Sequence, residues 1–327
     1  MLLRILAAAA VTAILVVAAD PRRILSVVLD ANPTLLAAAV GLAVADRVLM
    51  AHRWFLLIRV VPAGRAASFG DTLRVSLATT FLGNFLPTSV GAEALRVLEL
   101  SRFGFRGSAA FASVLMDRIL GVVSMLLAAL AGGLLAPHLL ADRAVAIPLA
   151  LTAAISIATA LLLFSPRTTA LTRQVLAAIL PARLNAVAAR LLTAMLEHGA
   201  SHRTMAVVLC ESLGVQLLRI SQAFVVGRAL GLSPSFPVYL ALVPLALLVL
   251  LLPVSVGGMG TGQAAFMVLF GRVGVPGAEA FTLGTLLLFL GLLGSLPGGV
   301  VYGWGGSGFR RPAANGGSVA SEPDASR

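Results

Sequence analysis

The chain has 327 residues, of which 59% are apolar and only 11% charged, and its mean hydropathy is +1.00. A soluble globular chain runs nearer half apolar and a quarter charged, so a soluble enzyme and a nucleic-acid binder are excluded, and the lone Cys210 excludes a disulfide scaffold. The net charge of +11 comes from arginine alone, for the chain holds no lysine, and in a membrane protein such an excess belongs to cytoplasmic loops.

Apolar runs lie near 2–19, 34–51, 72–86, 108–136, 144–164, 206–227, 238–270 and 278–304. Most reach the length needed to cross a hydrocarbon core roughly 30 Å thick. Residues 2–19 carry Arg4 first and Ala18-Ala19 last, like a signal peptide. Among so many later runs, an uncleaved first helix is the better reading. Residues 165–205 are a polar interlude whose Val175, Leu176, Ile179 and Leu180 are spaced for an amphipathic helix on the membrane surface. From 305 to 327 the Gly, Ser, Ala and Pro content reads as a disordered tail. Residues 1–304 then form one transmembrane domain with halves 1–136 and 144–304.

An internal repeat organises these halves. Residues 86–91 read LPTSVG and residues 252–257 read LPVSVG, each after an apolar run. Pro87 and Pro253 stop a helix, because proline lacks an amide hydrogen and disfavours helix just before it. Gly91 and Gly257 then allow a turn. Broken helices at matching places in two halves point to a transporter site. If both segments turn back to the face they came from, Arg53, Arg59, Arg65, Arg96, Arg102 and Arg106 fall inside. The 165–205 interlude joins them, while Arg22, Arg23, Arg143, Arg228 and Arg272 fall outside, as the positive-inside tendency requires. Three crossings separate the motifs, so they enter from opposite faces. The expected fold is an all-α polytopic membrane protein of about six full transmembrane helices plus two re-entrant broken-helix hairpins in an inverted repeat. Both termini are expected in the cytoplasm and the protein in the cell membrane.

An ionisable group within a span costs on the order of 2.5–3.5 kcal/mol at the membrane centre, so each needs a partner or a wet cavity. The sequence offers Asp46-Arg47, Asp71 with Arg74, Glu93 with Arg96, Asp117-Arg118, and Glu211 with Arg219. Spacing of i,i+3 lets Asp71/Arg74 and Glu93/Arg96 meet on one helix face. The second half-helix of the first motif begins near Ala92, and its amide end favours an anion. Arg96 adds five donors suited to phosphate. An anion site and a purely structural turn both fit this motif. Asn84, Ser89, Ser255 and Gln263 offer neutral hydrogen bonds, and Gly257, Gly258 and Gly260 suit a hinge. Gly227 and Gly231 form a GxxxG suited to helix packing. His52, His138, His198 and His202 lie in expected loops or at span ends, without metal-ligand spacing, and no cofactor or catalytic motif is present.

The pattern Asn84, Leu86-Pro87, Gly91, Glu93 and Arg96, followed by Ser113-Val114 and Asp117-Arg118, resembles the flippase-like family represented by the membrane region of lysylphosphatidylglycerol synthases. Pro253 and Gly257-Gly258-Met259-Gly260 carry its later half. In that family a Glu commonly follows the late glycine run, where this chain has Gln263. The resemblance implies a stand-alone membrane region without the soluble synthase domain, which does not itself make lysyl-lipid. It implies movement of a lipid or lipid-linked polar group between leaflets. The expected substrate-binding set is Asn84, Pro87, Ser89, Gly91, Glu93, Arg96, Asp117, Arg118, Pro253, Ser255, Gly257, Gly258, Gly260 and Gln263. The expected partner is a membrane lipid with a phosphate-bearing headgroup, with an enzyme of a lipid pathway as a further candidate. An accessory protein that binds a lipid intermediate without transport, and a membrane-embedded transferase, remain open alternatives.

Overall fold

The structure, a computed structural model, describes residues 21–60, 67–84, 91–164, 202–250 and 260–305, with a few isolated residues between 174 and 185. The described residues form helices and no strand. They are α1 (Pro21–Leu29), α2 (Pro33–Val60), α3 (Phe69–Gly83), α4 (Gly91–Arg102), α5 (Gly107–Leu135), a 3-10 turn (Pro137–Ala141), α6 (Arg143–Phe164), α7 (His202–Ala229), α8 (Phe236–Leu250), α9 (Thr261–Gly271), α10 (Gly277–Leu293) and α11 (Leu296–Gly305). The expected first span over 2–19 and the tail from 306 onward lie outside the described residues. So does nearly all of the amphipathic segment over 165–205.

Helices α2, α5 and α7, and the α10–α11 stretch from 277 to 303, are each long and apolar enough to cross a membrane. A further expected span, 144–164, coincides with the 22 residues of α6. In α2 the burial pattern is the reverse of a soluble helix. Val40, Val44 and Val48 face outward while Asp46 and Arg53 are buried. Polar groups collect inside and valines line the outside when the surrounding solvent is hydrocarbon. This is a multi-pass membrane protein.

Three sequence expectations about the helices change. Span 34–51 runs on to Val60 without interruption, so Arg53 is a buried residue of α2 and not a cytoplasmic loop arginine. His52, expected in a loop or at a span end, lies within the same helix. The last span breaks at Gly294-Ser295, where Pro297, in the first turn of α11, has no amide hydrogen to continue the ladder. Finally, Gly227 and Gly231 do different jobs. A side chain at Gly227 would run into the Tyr239 hydroxyl, which is packing. Gly231 instead adopts φ 75° and closes α7, with Leu232 N–H donating to the Gly227 carbonyl at 2.8 Å and Gly231 N–H to that of Arg228 at 3.1 Å. That is a left-handed C-terminal cap, which glycine adopts without a Cβ penalty.

The two broken helices share one geometry. At 15 and 12 residues, α3 and α4 are about 22 and 18 Å long, too short to cross singly. Gly83, at the end of α3, abuts Ala92 at the start of α4. Ala67 and Val75 share one apolar cluster with Leu100, Phe103 and Phe105. The chain therefore returns to where it started. Helices α8 and α9 do the same: Leu250 touches Gly262 at one end, and Tyr239 meets Phe270 at the other, ring centroids 5.0 Å apart.

The bases of these hairpins lie at opposite ends of the long helices. The first packs against Trp54 and Ile58 late in α2 and Ala110 and Val114 early in α5. The second belongs to the cluster holding Leu36 and Ala39 early in α2 and Ala128 and Ala129 late in α5. The described ends beside the two breaks, Gly83, Asn84, Ala92 and Glu93 of the first hairpin and Leu247 and Leu250 of the second, line one cavity, and there the interior turns polar.

Candidate functional site

Two adjoining cavities open between these described ends. The larger, 370 Å³, is lined by Arg47, Arg53, Arg96, Arg118 and Arg219 against Glu93 and Asp117, together with Thr80, Gln216 and residues of both hairpins. The smaller, 230 Å³, is bounded mainly by Leu247, Leu250, Phe266, Leu287 and Leu288, with Gln263 among its lining. Arg47, Asn84, Leu247 and Leu250 belong to both. Five guanidiniums against two carboxylates make the larger cavity a region of positive potential within an apolar shell, where charge interactions are far less screened than in water.

Asp117 is the keystone of the arginine set. It lies buried between Arg53, whose Nε donates to Oδ1 at 2.7 Å, and Arg96, 3.6 Å from Oδ2. Arg53 also donates to the Ser212 hydroxyl on α7 at 3.2 Å, tying three helices. Arg96 lies over the Trp54 ring with its guanidinium carbon 5.1 Å from the centroid. It donates to the hydroxyls of Ser76, Thr79 and Thr80 on α3. Those contacts fix α4 against α3 and α2 by satisfying a buried cation with a carboxylate, hydroxyls and an aromatic face.

Glu93 and Arg96 share a helix face but do not pair. Glu93 takes Arg118 and Arg96 takes Asp117, so the expected i,i+3 pair is replaced by two interhelical ones. The same exchange occurs elsewhere. Glu211 accepts from His52 Nδ1 at 2.8 Å, while Arg219 donates to Asp46 at 2.8 Å, and the expected Glu211/Arg219 association gives way. His52, expected as a solvated loop residue, is thus one half of an α2–α7 contact. Asp46 and Arg47 do approach each other, at 3.7 Å. Asp71 receives the Ser68 hydroxyl at 2.7 Å in the start of α3, a structural role at a helix N-terminus.

Within the expected binding set, Asn84, Glu93, Arg96, Asp117 and Arg118 line the larger cavity, and Gly91 opens α4 beside it. Pro87, Ser89, Pro253, Ser255, Gly257 and Gly258 lie outside the described residues. Two of the neutral side chains bond within the protein: Asn84 Nδ2 donates to Ser295 Oγ at 2.8 Å, and Gln263 Oε1 accepts the Gly260 amide at 2.8 Å. The first bond anchors the α3 tip at the break in the last span, and the second starts α9. Sequence reasoning left Arg47, Arg53, Thr80, Gln216 and Arg219 out of the binding set. The signal was available in two stripes: Arg47, Met50 and Arg53, and Ser212, Gln216 and Arg219, each at helical spacing through an apolar run. Among the described residues no group of three or more His, Cys, Asp or Glu is placed to hold a metal ion.

The fold and the cavity define a class: a multi-pass helical membrane protein with a cationic chamber between two broken helices. The family described as the lysylphosphatidylglycerol synthase TM region matches residues 1–298, and the chain belongs to that family. No curated protein and no solved structure matches it. Membership places the protein in a lipid-related setting.

Proposed function

We propose that the protein is a lipid translocase of the cell membrane, a transporter and not an enzyme, that moves a phospholipid or lipid-linked polar headgroup between leaflets. The observation that carries this reading is the cationic cavity between the described ends of the two hairpins, inside an apolar shell. A chamber with five buried or half-buried guanidiniums against two carboxylates suits a substrate with an anionic head, because charge within an apolar shell needs a partner. The two hairpins act as re-entrant segments of an inverted repeat, with both termini in the cytoplasm. Rocking of one repeat against the other alternates access to the chamber, and glycines near 257–262 serve as hinge.

The phosphate falls to Arg118, Arg219 and Arg47, whose side chains keep 46%, 30% and 19% of their surface exposed. Arg53 and Arg96 are consumed in holding Asp117 and form the frame. The test is headgroup-accessible scrambling in proteoliposomes. Wild type is expected to move at least one phospholipid. Arg219→Ala, removing a charge-assisted bond worth about 1.5–3 kcal/mol, is expected to slow it by roughly ten- to a hundredfold. A well-folded wild type that moves no lipid of a broad panel sinks the translocase reading.

A further inference from the structure

The break in the last span is bridged by side chains from two other helices. Helix α10 ends at Leu293 and α11 begins at Leu296. A continuous helix would direct the Ser295 amide to the Gly291 carbonyl four residues earlier. Here that amide donates to the Leu292 carbonyl at 3.0 Å, and Pro297 has no amide to offer Leu293. The Gly291 carbonyl is taken by Arg47 Nη2 of α2, at 3.2 Å. A guanidinium suits that place, because the last carbonyls of a helix form the negative end of its dipole. Across the break, Asn84 Nδ2 at the end of α3 donates to Ser295 Oγ at 2.8 Å. That hydroxyl donates in turn to the Leu292 carbonyl at 2.7 Å.

The pieces on either side of the break belong to different halves. Helix α10 packs on α9 of the second hairpin, where Gly284 lies against Gln263 and Phe266 and Gly277 lies against Met267. Helix α11 packs on α3 of the first, with Gly298 against the Leu77 backbone and Gly299 against the Phe81 ring. A Cβ would crowd its neighbours at Gly284 and collide at Gly298, so each piece is seated closely on its own hairpin. Within this span, a displacement of one hairpin against the other falls on the stretch between Leu293 and Leu296, where the helical ladder is already open. Hinges are built in this way, from a few element-terminal residues that absorb the change in backbone angles. Arg47 and Asn84 are also the two polar side chains common to both cavities. The residues that bridge the break therefore line the boundary between the charged chamber and the apolar one.

We infer that Gly294-Ser295 is a joint on which the two hairpins move relative to each other, α10 travelling with the second and α11 with the first, while Arg47 and Asn84 are the pins that hold the present arrangement. The inference rests on rocking of the two halves, as the translocase reading requires, and adds a second joint to the glycines near 257–262. Releasing either pin frees the joint. Restoring the amide missing at Pro297 stiffens it.

Distances between pairs of spin labels on the purified full chain in lipid nanodiscs test this without any transport measurement. The labels are placed in a Cys210→Ser background at exposed positions: Leu98 on α4, Tyr302 on α11, Val268 on α9 and Phe289 on α10. Leu98→Cys with Val268→Cys spans the joint and is expected to give two distances. Pro297→Ala changes an exposed residue and touches neither pin, and it should collapse the two distances onto one. Asn84→Ala should change the ratio of the two populations by about three- to tenfold, the yield of one neutral hydrogen bond. Arg47→Met should change it by about tenfold or more, because a bond from a charged donor contributes more. The pairs within one half, Leu98→Cys with Tyr302→Cys and Val268→Cys with Phe289→Cys, should keep a single distance in every variant. A distance from position 98 to 268 that is the same in wild type and all three variants overturns the joint. So does a distance within either half that changes along with it. Scrambling by the same preparations reports on the translocase reading separately. Two distances without lipid movement sink that reading and leave the joint, and lipid movement at one fixed distance does the reverse.

Discussion

Asp117 stands next to Arg118 in sequence, yet its partners are Arg53, 64 positions earlier, and Arg96. One carboxylate neutralises part of two buried cations, so its removal leaves both without their counter-ion. Asp117→Ala is expected to cost about 3–5 kcal/mol, the usual loss on breaking a buried ion pair, measured by chemical denaturation in detergent. Replacing the whole set with apolar residues of similar volume (Asp117→Leu with Arg53→Met and Arg96→Met) should recover most of that stability while leaving transport abolished. A triple variant that is as unstable as the single one would show that the hydroxyls of Ser76, Thr79 and Ser212 depend on the arginines. At this scale the sequence shows which residues are charged but not whom they meet. Local spacing suggested Glu93 with Arg96 and Glu211 with Arg219. Tertiary packing instead matched each to a neighbouring helix, because a buried charge is satisfied by whichever opposite group the fold brings within reach, and helical neighbours at i,i+3 are worth only about 0.2–0.5 kcal/mol.

Helices α3 and α11 show how much of an element's fate hydropathy conveys. Breaks were expected at Pro87–Gly91 and Pro253–Gly257, where proline followed by glycine disfavours helix. The described residues show α3 ending at Gly83, α4 starting at Gly91, and Gly260 at φ 79° just before α9, while Pro87, Pro253 and Gly257 lie outside them. The interruption at Gly294-Ser295 carried the same kind of signal in Gly294, Pro297, Gly298 and Gly299. It was hidden because the apolar run continues through it, and hydropathy reports transfer into lipid rather than continuity of the hydrogen-bond ladder. What the break achieves is close packing. A Cβ on Gly298 would run into the Leu77 backbone carbonyl of α3, so only glycine lets α11 lie against the hairpin and bring Ser295 to Asn84. Gly298→Leu is expected to destabilise by about 1–3 kcal/mol through overpacking. It should also reduce transport more than Ser295→Ala, which removes one neutral hydrogen bond worth roughly 1 kcal/mol. Thermal melting in detergent, set beside scrambling rates, checks the order.

For the whole molecule, the arrangement of hairpin bases supports the proposed topology. The first hairpin's base packs against late α2 and early α5, the second against early α2 and late α5. Leu36 and Trp54 are 18 residues apart on one helix, or about 27 Å, close to the thickness of the hydrocarbon core. If α2 crosses the membrane, the two bases then lie at opposite faces and each hairpin begins and ends on its own side. Substituted-cysteine labelling checks this in a Cys210→Ser background, because Cys210 is itself exposed. Gly70→Cys and Ser108→Cys, exposed positions flanking the first hairpin, are expected to react with a membrane-impermeant maleimide from the cytoplasmic face. Ser235→Cys and Gly277→Cys, exposed positions flanking the second, are expected to react from the opposite face. Labelling of Gly70→Cys and Ser108→Cys from different faces would make α3 and α4 together a full crossing, and would carry the arginines of 165–205 to the outside, against the charge bias. The charge bias gave the same answer from loops alone, although Arg53 and Arg96, counted among those loop arginines, are buried in helices. Removing both leaves Arg59, Arg65, Arg102 and Arg106 on that side, so the proposed orientation still agrees with the charge bias. The proposed inversion of the hairpins is thus argued from packing, and the proposed cytoplasmic face from the remaining arginines, and the labelling pattern tests the two separately.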